Sequence, residues 1–341
     1  MLSDESYEKA HLYQKVAQKH KIDVCFFRLE DINFQNKNVL VRFKKDPGAV
    51  SWQIKQIPIP RVIHNRAIYG LSKLPYLKKL SAMGATVYNY WNGYSKLKIH
   101  RLIEKKGNLQ KYLADTRRFQ YENLRYFLKY NSFFLKPDKG SVGNGIIKID
   151  RFSLDSWKIT HQIKSSKKIY IKKENELYSF LSNYIAKQRY ILQKSIRLQT
   201  YQQSPFDVRV SAQKNEIGQW QVTGMVGKVA SQGCYLSNLF QGGTVKTLET
   251  IYGRSAVHVK KRLAKAAIDI ASYLSKQLPN LADIGFDFGI DNKGNVIFIE
   301  MNSRDQRYSF LLAGMNNTFE MTYENPVAYG KYLLKRKLRQ T

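Results

Sequence analysis

Two carboxylates and one amide within residues 283–302 have the chemistry of a metal site. Asp287, Glu300 and Asn302 lie in two runs of alternating apolar and polar residues, which a glycine-containing turn joins into a predicted β-hairpin. Carboxylate and amide oxygens are ligands that Mg²⁺ accepts from proteins, and the ion completes its octahedron with water and nucleotide phosphates. The sequence therefore predicts a magnesium site on one face of this hairpin.

The register of the hairpin sets the distances between these side chains. We expect Ile290 to pair with Asn295 across the turn. Asp287 then faces Phe298, and Glu300 is its diagonal neighbour, roughly 7–8 Å away between Cα atoms. A solvent-facing hairpin with scattered acids is the alternative. The glycines beside Asp287 and the apolar residues beside Glu300 favour the metal site.

A glycine-rich loop lies between two predicted strands, 132–137 and 146–149. It lacks the Gly-Lys-Ser/Thr ending of a P-loop and leads into a strand, so it does not fit a phosphate loop at a helix N-terminus. Glycines permit positive φ and let successive N–H groups converge on phosphate oxygens, and Lys136 would add positive charge. An ordinary hairpin turn explains the same glycines, so both interpretations stay open.

Three other segments carry polar groups that could belong to a binding site or could have an ordinary structural role. Asp207 and Arg209 share one face of a predicted strand, as a buried ion pair or as part of a site. Arg304 and Arg307 follow the hairpin and could bind phosphate through bidentate contacts, although arginines are common in exposed loops. Residues 238–243 could bring N–H groups to an acyl or phosphate oxygen, or could form a simple turn.

The elements around these residues predict three domains. Residues 1–95 mix helices with strands such as 22–29 and 38–43, which predicts a small α/β domain. A central region, 96–195, contains the glycine loop between its strands. A C-terminal region, 196–341, contains long strands and a predicted helix over 257–278.

Composition excludes several classes of protein. Hydrophobic residues make up 43% of the 341 residues, so the chain is not disordered as a whole. Two cysteines are too few for a disulfide framework or a tetrahedral zinc site. The absence of a membrane-length apolar run and of a signal-like start predicts a cytoplasmic protein with no membrane span.

The chain is strongly basic. It contains 57 Lys and Arg against 26 Asp and Glu, a net charge of +31. Residues 96–200 contain 24 Lys and Arg against 8 Asp and Glu, or +16. This charge predicts an anionic partner, and a solvated lysine-rich surface is the alternative. Nucleic acid ranks below an acidic protein as that partner, because the aromatic residues are distributed through predicted core strands.

Taken in order, these motifs resemble the ATP-grasp superfamily, and more closely the YheC/YheD family of endospore coat-associated ATP-grasp proteins. The resemblance covers most of residues 60–310 and implies an ATP-grasp fold, with an N-terminal α/β pre-ATP-grasp domain, a central lid domain and a C-terminal ATP-grasp domain. ATP would lie between the last two, which are both α+β. The residues that carry the resemblance are Lys96, Phe134 to Pro137, Ser141 to Gly145, Gln193, Asp207 to Arg209, Asn238 to Gly243, Asp287, and Glu300 to Asn302.

The resemblance also implies site roles for individual residues. Two positions depart from the family pattern: Lys228 stands where many relatives carry Arg, and Asp305 stands where Pro is common. Lys228 keeps the charge but loses the planar fork of Arg. The resemblance implies that Lys96 and Lys136 contact the ATP phosphates, that Ser141, Gly143 and Gly145 fold over them, and that Gln193, Lys194 and Ile196 bind adenine. It implies that Asp287, Glu300 and Asn302 hold Mg²⁺. Arg209 and Arg304 would act in catalysis at the γ-phosphate and acyl phosphate, with Lys228 nearby, and Asn238, Gly242 and Gly243 would bind the substrate.

The implied activity is ATP- and Mg²⁺-dependent ligation of a carboxylate to an amine through an acylphosphate. The basic middle of the chain suggests an acidic peptide or protein as the carboxylate substrate. A kinase of the same fold, which phosphorylates a hydroxyl, is one alternative. A non-enzymatic polyanion-binding or spore-coat structural protein is another, and the family's association with spores motivates it.

Overall fold

The computed structural model describes residues 8–44, 51–140, 143–161, 168–185, 188–235, 237, 239 and 242–339. Ser141 and Asn238, for which the resemblance implies site roles, lie outside this part of the chain. Within it, no helix combines the length and the apolar character that crossing a membrane requires.

The helices and strands of the N-terminal region are α1 (Ala10–Lys19), β1 (Ile32–Asn33), β2 (Asn38–Phe43), β3 (Gln53–Pro58), β4 (Val62–His64), α2 (Leu74–Ala82) and β5 (Thr86–Tyr88). Strands β1, β2 and β3 form an antiparallel sheet, whereas β4 and β5 are parallel. Helix α2 connects the parallel strands, and its Leu77 and Leu80 are fully buried against Val39 and Ile63. The loops after β4 and β5 therefore leave the same edge of the parallel pair.

The predicted strand over 22–29 is wrong. This segment forms only an isolated bridge, in which Phe26 N donates to Arg42 O at 2.8 Å and Arg42 N donates to Phe26 O at 2.7 Å. The 3-10 turn Leu29–Asp31 separates Phe26 from β1, so the segment cannot continue along the edge of β2.

The elements of the central region are α3 (Lys96–Glu104), β6 (Thr116–Arg118), α4 (Tyr121–Phe127), β7 (Ser132–Pro137), β8 (Ile147–Ser153), β9 (Ser156–His161), β10 (Lys168–Ile171), α5 (Glu174–Ile185) and β11 (Tyr190–Lys194). Their strands form one antiparallel sheet in the order β10-β9-β8-β7-β11-β6, which we call the central sheet. One face packs on α4 and α5 through residues such as Leu135 and Leu192. The opposite face carries Phe134, Lys136 and Gln193.

The C-terminal elements are β12 (Thr200–Tyr201), β13 (Ser204–Lys214), β14 (Trp220–Val229), β15 (Thr244–Lys246), α6 (Leu248–Tyr252), α7 (Ala256–Gln277), β16 (Asp283–Ile290), β17 (Val296–Asn302), α8 (Tyr308–Leu312) and α9 (Asn316–Leu338). The strands form the C-terminal sheet in the order β15-β14-β13-β16-β17, with β12 paired to β13. Helix α7 covers one face, where Leu263 and Ile270 are fully buried. Helix α3 packs into the same core through Ile99 and Ile103, although the predicted boundary at residue 96 assigns α3 to the central domain.

Candidate active site

The hairpin β16–β17 has a different register from the predicted one. Ile290 pairs with Val296 instead of Asn295, and Asp287 pairs directly with Glu300. The register shifts between Asp287 and Phe288, because a β-bulge leaves Ile299 without a paired residue.

The bulge decides which side chains of β17 reach the site. Val296 and Phe298 pack into the core, and Phe298 contacts the ring of Phe288 at a centroid distance of 6.2 Å. Glu300 and Asn302 face the opposite side together with Asp287. The expectation that Phe298 and Glu300 share a face is therefore wrong, because the bulge adds one residue to β17 between them.

Asp287, Glu300 and Asn302 converge at one point. The Asn302 Nδ2 atom lies 3.3 Å from Asp287 Oδ2 and 3.5 Å from Glu300 Oε1. A half-turn of the amide exchanges its nitrogen for its oxygen, since the two orientations occupy the same volume. Three oxygen donors can thus meet at one position, which is the donor set that a hard divalent cation prefers.

Two cations flank this group on the neighbouring strands. The Arg209 guanidinium forms a fork with Asp287, with Nε at 2.7 Å from Oδ1 and Nη2 at 3.2 Å from Oδ2. Lys228 Nζ lies 3.1 Å from Asp287 Oδ2 and 2.8 Å from Asp207 Oδ1. Burial opposes ionisation of Asp287, but Arg209 and Lys228 outweigh it and hold the pKa of this carboxyl well below its usual range. Asp287 is therefore an anion at neutral pH.

Asp207 behaves differently, although it contacts the same lysine. Burial raises the pKa of Asp207 to about 6, and the repulsion from Asp287 adds to this effect while Lys228 opposes it. Ser237 Oγ also donates a hydrogen bond to Asp207 Oδ2. The sequence allowed Asp207 and Arg209 to form an ion pair or to belong to a site. In the structure each has a different ion-pair partner, Lys228 for Asp207 and Asp287 for Arg209, and both pairs border one cleft.

Asp305 holds the far side of Arg209. Its Oδ1 accepts a hydrogen bond from Arg209 Nη1 at 3.0 Å, and the residue is fully buried. The backbone carbonyl of Asp305 accepts from Arg66 Nη2 at 2.7 Å, which ties the loop after β17 to the loop after β4. Gly285 leaves the room for this carboxylate, because a Cβ atom there would collide with Asp305 Oδ1.

Arg307 does not contact the cleft that Arg209 borders. It is 3% exposed, with Nη2 at 2.6 Å from Asp283 Oδ2 and Nη1 at 2.8 Å from the Tyr13 hydroxyl. Arg66 and Glu8 complete this buried network, with Arg66 Nε at 2.9 Å from Glu8 Oε1. The expectation that Arg307 binds phosphate is therefore wrong, since its guanidinium joins α1 to the C-terminal sheet.

Lysines reach the cleft from the central sheet and from α3. Lys136 Nζ donates to Gln193 Oε1 at 2.6 Å, and burial lowers the pKa of Lys136 to about 8, although Glu300 opposes this. Lys96 Nζ donates to the Gly140 carbonyl at 2.9 Å and lies 3.6 Å from Glu300 Oε2. Both lysines therefore approach the Glu300 carboxylate of β17 from across the cleft.

Two glycines shape the loop between β7 and β8. Gly143 has φ +72° and Gly145 has φ +73°, in the left-handed region that favours glycine. A Cβ atom on Gly145 would lie 2.7 Å from the Tyr190 hydroxyl and 3.1 Å from Pro137 Cγ. A residue with a side chain at position 145 would therefore adopt a strained φ and crowd Tyr190 and Pro137.

Three cavities in the described part of the chain form a continuous cleft between the central and C-terminal sheets. We name them the hinge cavity, of about 210 Å³, the central cavity, of about 210 Å³, and the N-terminal cavity, of about 370 Å³. Lys136, Asp207 and Ile299 line both of the first two, and Lys96, Glu300 and Arg304 line both of the last two.

The cleft brings together most of the residues that the resemblance marks. Lys194 and Ile196 line the hinge cavity; Gly143, Arg209, Lys228 and Asp287 line the central cavity; and Asn302 lines the central and N-terminal cavities. Gly242 and Gly243, both described, line none of the three. Sequence reasoning missed Lys148 of the hinge cavity, although its alternation with the buried Ile147 and Ile149 places it on the open face of β8.

Comparisons with known proteins identify the family of this chain. The model of the YheC/D-like ATP-grasp family matches residues 84–333. The chain is 28% identical over 334 residues to the endospore coat-associated protein YheD of Bacillus subtilis (strain 168), covering 92% of this chain and 71% of YheD.

Solved structures share the fold at low sequence identity. D-cycloserine synthetase DcsG matches with a TM-score of 0.55, 10% identity and 97% of each chain covered. The VanG D-Ala:D-Ser ligase of Enterococcus faecalis matches with a TM-score of 0.53 and 14% identity, covering 90% of this chain and 79% of VanG. The predicted ATP-grasp fold is confirmed, and the chain belongs to the YheC/D-like ATP-grasp family.

Proposed function

We propose that this protein is an ATP- and Mg²⁺-dependent ligase that joins a carboxylate to an amine through an acylphosphate. The observation that carries the proposal is the convergence of Asp287, Glu300 and Asn302 at the centre of a cleft with lysines on both walls. The ATP-grasp fold, which this chain shares with ligases such as VanG, supports the same reaction class.

ATP fits the cleft in one direction. Gln193, Lys194 and Ile196 lie at the hinge cavity, where the backbone after β11 would recognise adenine. The triphosphate would extend into the central cavity toward Lys136 and Lys96, with the glycine loop over it. The opposite direction would place adenine among the charged groups of the central cavity, at a desolvation cost, and would hold the phosphates away from Asp287, Glu300 and Asn302.

The oxygen donors Asp287, Glu300 and Asn302 would hold Mg²⁺. When bound, the ion would neutralise negative charge on the β- and γ-phosphates. Arg209 and Lys228 lie beside this group and would stabilise the charge that develops on the transferred phosphoryl group.

The reaction would proceed in two steps. A carboxylate oxygen of the substrate attacks the γ-phosphorus, the bond to the β-phosphate oxygen breaks, and ADP leaves. The amine nitrogen then attacks the acyl carbon, phosphate leaves, and the amine loses a proton as the amide forms. Closure of the central sheet over the cleft would exclude water, which would otherwise hydrolyse the acylphosphate.

The positive charge of residues 96–200, a net +16 from 24 Lys and Arg against 8 Asp and Glu, supports an acidic peptide or protein as the carboxylate substrate. We also propose that Gly242 and Gly243 contribute to the substrate side, and that the protein acts at the spore coat, as the name of its relative, the endospore coat-associated protein YheD, suggests. We further propose three domains, 1–95, 96–195 and 196–341, with α3 of the second packed on the core of the third.

A thermal-shift titration with Mg²⁺ and a non-hydrolysable ATP analogue tests the nucleotide site. We expect a Mg²⁺-dependent rise in Tm for the wild type that is lost in Glu300→Ala. The matched control is Glu216→Ala, which changes an exposed glutamate in the turn between β13 and β14. A Mg²⁺-dependent rise retained by Glu300→Ala would contradict the assignment. Hydroxylamine trapping then separates a ligase from a kinase, because only an acylphosphate yields a hydroxamate.

A further inference from the structure

The N-terminal cavity has an apolar end and a charged end. Loops that follow the parallel strands β4 and β5 form its outer wall, with Ile68 and Leu71 from the first loop and Trp91 from the second. Ile68 is 60% exposed and Leu71 is 66% exposed, so both present large apolar side chains to solvent at the mouth. Ligand pockets are lined mainly by apolar and aromatic side chains, so apolar groups at the mouth of this concave site favour a ligand with an apolar part.

The wall is held in place by a buried asparagine. Asn92 Nδ2 donates to the carbonyls of Asn65 at 2.9 Å and Ala67 at 3.0 Å, which clamps one loop to the other. Asn65 Oδ1 also accepts from Ala67 N at 3.0 Å. Ile68, directly after Ala67, therefore belongs to a preformed wall. A preformed wall binds a ligand without the entropic cost of ordering a loop.

The charged end of the cavity adjoins the proposed phosphate site. Lys96, Arg304 and Glu300 line the boundary between the N-terminal and central cavities. A carboxylate placed at this boundary would lie beside the γ-phosphate and between two cations. The rest of the acid would then extend toward Ile68, Leu71 and Trp91.

We propose that the carboxylate substrate carries a large apolar group next to its reacting carboxyl, as a peptide with a C-terminal Phe or Leu does. This inference rests on the proposed ligase function and specifies which acid the site accepts. Upstream acidic residues of such a peptide remain compatible with the basic surface, whereas the residue that reacts must bury an apolar side chain. Burial of this side chain against Ile68 and Leu71 supplies the selectivity.

The test measures hydroxamate formed from Mg²⁺-ATP, hydroxylamine and either N-acetylphenylalanine or N-acetylaspartate. We expect kcat/KM for N-acetylphenylalanine to exceed that for N-acetylaspartate by about tenfold or more. Tenfold is the lower end of the discrimination that an apolar pocket gains from one added methylene group. Leu71→Asp, at a position that lines the N-terminal cavity but not the central cavity, should remove this preference and leave the KM for ATP unchanged. Ile217→Asp, which changes an isoleucine that is 55% exposed in the turn between β13 and β14, should leave both values unchanged.

The outcomes separate this inference from the proposed function. Equal or better use of N-acetylaspartate, an unchanged preference in Leu71→Asp, or no hydroxamate from either acid overturns the inference, while the Mg²⁺-dependent thermal shift still supports the nucleotide site. Absence of that shift in the wild type overturns the proposed function and the inference together.

Discussion

Asp287 of β16 and Glu300 of β17 are directly opposed across the hairpin, and a bulge at Ile299 produces this pairing. Without the bulge, the register of Ile290 with Val296 would pair Glu300 with Phe286, the residue before Asp287. The extra residue rotates the end of β17, so Glu300 and Asn302 leave the core face and join Asp287 in the cleft. The proposed metal site therefore depends on an irregularity of the strand.

Substitutions of Asn302 should distinguish the contribution of its side-chain oxygen to Mg²⁺ binding from that of its side-chain shape. Asn302→Leu keeps the branching at Cγ but removes the oxygen donor, so we expect Mg²⁺ to bind about tenfold more weakly. Asn302→Asp restores an oxygen donor and should keep the Mg²⁺-dependent thermal shift with the ATP analogue. Equal shifts for both variants would show that Asn302 supplies no ligand oxygen.

Nucleotide affinity should fall as pH rises through about 8. Lys136 is charged below its pKa, which burial lowers to about 8, and only the charged form attracts phosphate. Calorimetric titration of the ATP analogue at pH 7 and pH 9 should show weaker binding at pH 9. Lys136→Arg keeps its charge over this range, so its affinity should not change with pH. The same pH dependence in Lys136→Arg would assign the effect to another group.

Asp305→Asn should lower kcat more than it changes the KM for ATP. Asp305 Oδ1 orients Arg209 through a charge-assisted hydrogen bond of 3.0 Å, so its loss should slow turnover by about tenfold while the nucleotide contacts remain. Steady-state ADP release measures both constants. Asp269→Asn, which removes the exposed ion pair with Lys265, is the control and should have no effect on either. A change confined to KM would contradict the positioning role.

Gly145→Ala should destabilise the loop between β7 and β8. Alanine at φ +73° costs about 1–2 kcal/mol, and its Cβ would also meet the Tyr190 hydroxyl at 2.7 Å. Urea unfolding should show this loss of stability. Gly107→Ala has no atom within 4 Å of the added Cβ and should cost less. Equal losses for the two variants would show that the loop tolerates a side chain.

Acid should destabilise the fold between pH 6.5 and about 4 through His64. Burial lowers the pKa of His64 to about 4, although Asp283 at 3.3 Å opposes this. The unfolded chain binds a proton below pH 6.5 that the folded chain resists, so stability should fall by about 3 kcal/mol across this range. His64→Gln should flatten this part of the pH profile of urea unfolding, and the exposed His258→Gln should not. A profile unchanged in His64→Gln would exclude His64 as the source.

The sequence alone determined the order of the elements and the chemistry of the cleft. Alternation of apolar residues predicts β7, β11 and both strands of the hairpin, and helical periodicity predicts α7, because these patterns are local. The same residues carried the resemblance to ATP-grasp proteins, which also marked Lys96, Lys136 and Gln193.

Only the tertiary structure decided which polar groups share the cleft. The bulge at Ile299 turned Phe298 into the core while Glu300 stayed on the predicted face with Asp287, and burial between α1 and the C-terminal sheet took Arg307 away from the site. Asp305 and Ile68 have no local pattern that reveals their contacts, since those contacts join segments far apart in the chain. Register shifts and long-range ion pairs depend on the packing of whole sheets, which periodicity along one strand does not encode.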